Sequence, residues 1–161
     1  MKRILAVAHG HEDDLEKVTD LINGQRGITF LHNDGSRAAV STSEIRRTLS
    51  EMGSLLVSLC AQSATLGSKA QRVERSALLM AMELKKPRIV ICPRAEYGRS
   101  HHLDDVRHHI NLVVACGHTK RGEIEKLFPG AVCFPTHNIG RDAHKIMGII
   151  GTIIEKQSAR V

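Results

Sequence analysis

Short apolar runs alternate with longer amphipathic stretches along this 161-residue chain, and that alternation restricts its fold more than any other feature. The runs are RILAVAH (3–9), ITFLH (28–32), SLLVSLC (54–60), RIVICP (88–93), NLVVACG (111–117) and AVCFPT (131–136). They are apolar almost throughout instead of alternating, so a strand built from one is buried on both faces. Between them lie helical stretches: DDLEKVTDLIN (13–23), STSEIRRTLSEM (41–52), SKAQRVERSALLMAMELKK (68–86), RGEIEKLF (121–128) and GRDAHKIMGIIGTIIEKQ (140–157). Leu15, Val18, Leu21 and Ile22 share a face of the first. Ser41 with Glu44, and Ser68 with Gln71, have capping-box spacing. EYGRSHHLDDVRHHI (96–110) reads as a loop passing into a short helix. The expected fold is α/β: a three-layer, doubly wound, mostly parallel sheet of five to six strands in flavodoxin-like order. Residues 1–161 are expected to form a single domain.

In a sheet of that order, ligands bind beyond the carboxyl ends of the strands, where the order reverses between the first and third. The loops HGHEDD (9–14) and AQSATLGS (61–68) would meet there, with NDGSRAAVS (33–41) near enough to fold over them. Glu74 sits just inside the helix that leaves the third strand, and this places it toward the crevice. It is also odd locally. Ala70, Gln71, Ala77 and Leu78 stand three and four residues away, and none is basic, whereas Glu83 has Lys86 three residues on.

The order of motifs resembles the Toll/interleukin-receptor (TIR) family, in its bacterial stand-alone form, over roughly residues 1–94. AVAHGHEDD holds the place of the first strand and its Ser-Tyr loop, and HNDGSRAAVSTSEI that of the polar loop and helix after strand two. MGSLLVSLCAQS stands for the third strand, followed by the helix with its Glu and then KKPRIVI. Nucleoside deoxyribosyltransferase-like proteins share much of this order and are the second choice. Both families act at the bond between a ribose carbon and a base nitrogen. The resemblance implies cleavage of the nicotinamide–ribose bond of NAD, as substrate and with no separate cofactor, in defence signalling. Glu74 would be the catalytic carboxylate beside the cationic sugar.

For the ligand, the resemblance puts His9 in the place of the first-loop Ser, and His11, Asp13 and Asp14 beside it are candidates to meet ribose hydroxyls, with Asp13 reading equally as a cap of the first helix. Helix N-termini and backbone amides hold phosphates, which makes Ser36, Arg37 and Ser41 in the second loop, with Ser63, Ser68 and Lys69 in the third, candidate binders; Ser41 and Ser68 read equally as plain N-caps. Two alternatives stay open: a non-catalytic TIR-like nucleotide-binding or scaffold module, and a nucleoside monophosphate N-glycosidase. No Trp precedes the Glu, and His9–Gly10 replaces the first-loop Ser and aromatic; both departures favour the non-catalytic module.

The net charge of +6 suits an anionic ligand. Scattered basic residues, one Tyr and three Phe leave little for stacking bases, so nucleic acid is disfavoured. Cys60, Cys92, Cys116 and Cys133 form no CxxC pair and read as reduced, buried thiols. MKRILAVAHGHEDD turns polar too early for a secretion signal, and IMGIIGTII is too short to span a bilayer. A cytoplasmic protein without a membrane anchor is expected, with a small nucleotide ligand and homo-oligomeric assembly. If SHHLDDVRHHI were helical, His101, Asp105 and His108, or His102, Asp105 and His109, would share a face suited to a transition metal, with His118 or His137 as a further ligand. A solvated, charge-rich segment explains the same run, and no metal site is assigned.

Overall fold

The computed structural model describes residues 4–8, 28–32, 42–59, 67–117 and 120–159. Six strands form one sheet: β1 Ile4–Ala8, β2 Ile28–His32, β3 Ser54–Ser58, β4 Arg88–Cys92, β5 Leu112–Cys116 and β6 Val132–Thr136. Their order is β2-β1-β3-β4-β5-β6, and every adjacent pair is parallel. The expected class, strand number and flavodoxin-like order all hold. The order reverses at β1, which pairs with β2 on one side and β3 on the other.

Helices cover both faces: α1 Thr42–Ser50, α2 Gly67–Glu83, α3 Ala95–Gly98, α4 Arg121–Leu127 and α5 Ile139–Ala159. Alternate strand residues feed two cores. Leu5, Val7, Leu55, Val57, Val90 and Val113 pack with Ile45 and Leu49 of α1, Ala77, Leu78 and Ala81 of α2, and Ile124 and Phe128. Ile4, Ala6, Leu56, Ile89, Ile91, Leu112 and Val114 pack on the other side with Ile139, Ala143, Ile146, Ile150 and Ile154. Those five α5 residues recur every three or four positions, which makes a single apolar stripe. Every residue of β3 and of β5 is buried, as strands covered on both faces must be. At the edge, β6 buries only Cys133 and Thr136 and tolerates Pro135, which cannot donate to a sheet ladder. Asn138 caps α5: its side-chain oxygen accepts from the Arg141 amide at 3.0 Å. Thr136 donates to Asp142 at 2.7 Å, and that hydrogen bond, with a second from Arg141, holds the Asp142 carboxyl below the usual range.

Three local expectations change. The stretch 96–110 forms α3 and then two 3-10 turns, His101–Leu103 and Arg107–His109, in place of a loop and one helix. The Gly98 carbonyl there accepts from the Arg107 guanidinium, and the Ser100 carbonyl accepts from it as well as from the Leu103 amide of the first turn, a tighter ladder than that of an α-helix. The α2 helix begins at Gly67, one residue before Ser68, and Gln71 reaches another segment instead of closing a capping box. It ends at Glu83, so Lys86 lies beyond it, and Glu83 pairs with Arg46 of α1 through bonds of 2.7 and 3.3 Å. The expected helix 13–23 and the loops 9–14, 33–41 and 61–66 lie outside the described residues.

Candidate functional site

Glu74, Ala77, Leu78 and Ala81 form one stripe of α2, and all four are buried. A carboxylate on such a stripe is costly unless hydrogen bonds replace its water. The donor comes from 28 residues away: His102 Nε2 lies 2.8 Å from Glu74 Oε1. The Glu74 side chain is 2% exposed and that of His102 12%. His102 belongs to the first 3-10 turn after β4, and α2 follows β3, the neighbour of β4. The pair therefore joins two segments that leave the carboxyl ends of adjacent strands. It lies on the β3–β4 side, one strand along from the reversal at β1.

The chain of contacts continues. His102 Nδ1 stands 2.7 Å from Ser100 Oγ, and Gln71 Nε2 donates to the same oxygen at 3.3 Å. Gln71 and Glu74 are three residues apart on α2, so they share a face. Each of the two segments thus supplies two members of one polar chain, Gln71–Ser100–His102–Glu74. Arg75 adds a salt bridge to Asp105 from the next position of α2 and holds that carboxyl below its usual range. Arg107 fixes the turn from behind. It donates to the carbonyls of Gly98 and Ser100 and to Asp104, and its guanidinium carbon lies 5.8 Å from the centre of the Phe128 ring.

Of the residues expected in a site, Glu74 is the one with a described side-chain setting. Ser68 and Lys69 lie in the first turn of α2. His9, His11, Asp13, Ser36, Arg37 and Ser63 lie outside the described residues. The helical face proposed for a metal does not form. His101 pairs with Asp104, His102 turns inward to Glu74, Asp105 pairs with Arg75, and His108 and His109 are exposed. Among the described residues no three His, Cys, Asp or Glu side chains come together as metal ligands. Cys92, Cys116 and Cys133 are buried and outside any disulfide, and burial pushes the Cys92 thiol up to about 12, far from a reactive thiolate. No described helix is long and apolar enough to cross a membrane.

Sequence reading missed His102 as a partner of Glu74, and Ser100 as the residue that bonds His102 and Gln71 in turn. The usable signal was the missing local cation, since a helical Glu with apolar neighbours must find its donor elsewhere. No family model matches the chain, and no curated protein matches it. Among solved structures it is similar to a de novo designed Rossmann 2x3 fold protein determined by solution NMR. That likeness has 6% identity and a TM-score of 0.45, over 94% of this chain and 91% of that one.

Proposed function

We propose that the chain is a TIR-like nucleotide-processing enzyme that cleaves the bond between nicotinamide and ribose in NAD, with Glu74 as the carboxylate that stabilises the cationic sugar. The reading includes a cytoplasmic setting, homo-oligomeric assembly and a part in defence signalling, as the sequence resemblance implies. One observation carries it. The Glu74 carboxyl is withdrawn from water, at 2% exposure, and anchored at 2.8 Å by His102 near the carboxyl edge of a parallel sheet. A fixed charge in a water-poor place stabilises a developing cation far better than a solvated one.

The enclosure of the same carboxyl favours a second reading, a nucleotide-binding module without turnover, in which the pair only clamps α2 to the segment after β4. The assay is release of nicotinamide from NAD, alongside release of free base from nucleoside monophosphates. Both are run with and without a crowding agent and with an enforced oligomer. Glu74→Gln is expected to cut turnover by about a hundredfold or more while the chain stays folded. Turnover that survives this change removes Glu74 from the chemistry. Base release from monophosphates alone moves the assignment to a nucleoside monophosphate N-glycosidase. No release in any condition, with a ligand-raised melting temperature, assigns the binding module.

A further inference from the structure

We infer that Ser100, His102 and Glu74 form a serine-nucleophile relay able to cleave small activated esters, with Gln71 as the donor to the oxyanion. The inference does not rest on glycosidic chemistry, because here the Glu74 carboxylate acts on an imidazole and never touches a sugar.

With Glu74 ionised and the His102 imidazole neutral, the hydrogen bonds fit one proton arrangement. An ionised Glu74 Oε1 only accepts, so at 2.8 Å the His102 Nε2 carries its hydrogen. That leaves Nδ1 bare at 2.7 Å from Ser100 Oγ, which donates to it. Gln71 Nε2 then donates to Ser100 Oγ at 3.3 Å. Nucleophile, base and orienting carboxylate stand in line within hydrogen-bond reach, as nucleophilic catalysis requires. The ring is turned end for end relative to the familiar serine triad, and the proton chemistry of imidazole is the same through either nitrogen.

The backbone supports this use. Ser100 precedes the 3-10 turn with φ −63° and ψ 136°, and its carbonyl accepts from the Leu103 amide at 3.2 Å and from Arg107 Nη2 at 2.8 Å. Nucleophile and base therefore sit two residues apart on one short braced turn, while carboxylate and amide sit one turn apart on α2. Ser100 itself is 5% exposed, whereas Gln71 and His102 are partly exposed. An acyl group must arrive past those two side chains.

In the first step, Ser100 Oγ bonds to the ester carbonyl carbon, its proton moves to His102 Nδ1, and the carbonyl electron pair settles on the oxygen beside Gln71 Nε2. The C–O bond to the leaving alcohol then breaks, and the alcohol takes the proton from Nδ1. Water repeats the sequence on the acyl-Ser100 ester, releasing the carboxylic acid and restoring the hydroxyl. Glu74 accepts the Nε2 hydrogen throughout and is a positioning residue.

The test treats the full chain with a small fluorophosphonate and maps the adduct by mass spectrometry, with p-nitrophenyl acetate turnover alongside. One adduct per chain at Ser100 is expected, absent in Ser100→Ala. His102→Gln should slow its formation by about a hundredfold or more. Glu74→Gln should slow it at an unchanged melting temperature, with part of the rate restored in Glu74→Asp, a recovery that a purely structural carboxyl would not give. Melting curves establish that each variant is folded. If Ser100→Ala fails to fold, the His102→Gln rate and the mapped position of the wild-type adduct decide. A folded wild-type chain that stays unlabelled overturns the inference, as does an adduct elsewhere or one that forms as fast in His102→Gln.

Discussion

At the scale of single residues, Glu74 separates what spacing reveals from what it hides. Its place on the buried stripe with Ala77, Leu78 and Ala81 is readable, because those positions recur at helical intervals. Its partner is not readable, because a contact across 28 residues leaves no periodic trace. The same limit misassigned Glu83 to Lys86, when the helix stops short and Arg46 arrives from α1. The buried pair has a measurable consequence. Glu74→Ala and His102→Ala should each cost about 1–3 kcal/mol in urea unfolding, since each takes a close hydrogen bond from a group withdrawn from water. The double variant should lose less than the sum of the two, by about 1 kcal/mol or more. Costs that simply add would mean that the 2.8 Å contact contributes nothing to folding.

At the scale of elements, the strands were legible nearly to the residue, because continuous apolar runs mark them whatever surrounds them. The 96–110 segment was not. Its buried Leu103, Val106 and Ile110 are spaced as in a helix, yet side-chain donors from Arg107 occupy carbonyls that a helix would use. Helix ends were set by details of the same size. At the end of α2, Lys86 N donates to Ala81 O at 2.8 Å and Lys85 N to Met82 O at 3.1 Å, a Schellman pattern, and Pro87 follows. Lys85 occupies the left-handed position with φ 56°, where glycine is the natural residue. Gly98, in α3, is the reverse case. An added Cβ would lie 3.2 Å from Phe128 Cε2 and 3.3 Å from both Cys92 Sγ and Leu127 Cδ1. Thermal unfolding should therefore show Lys85→Gly stabilising by about 0.5–1 kcal/mol and Gly98→Ala destabilising by about 1 kcal/mol or more. A destabilised Lys85→Gly together with a stabilised Gly98→Ala would show that neither backbone strain nor close packing governs these ends.

At the scale of the whole molecule, strand–helix alternation dictated a buried parallel sheet, and burial in turn has a cost that the sequence conceals. The run SLLVS reads as an apolar strand with polar ends, and polar ends ordinarily reach water. β3 does not end in water. It is a central strand, lying between β1 and β4, and helices cover both faces of the sheet, so Ser54 and Ser58 are 0% and 1% exposed. Among the described residues neither hydroxyl has a hydrogen-bond partner. A hydroxyl stripped of water without a replacement bond is destabilising, and removing it relieves that cost. Ser54→Ala and Ser58→Ala should thus each raise the urea midpoint, corresponding to a gain in stability of up to about 1 kcal/mol, with the slope of unfolding unchanged because the surface exposed on unfolding is unchanged. The two positions are four residues apart on an extended strand, roughly 13 Å, beyond the range at which substitutions couple. Their gains should add in the double variant. A loss of stability at either position would mean that its hydroxyl is bonded in solution, and the enclosure of β3 by the two helical layers would then be less complete than the burial of its five residues implies.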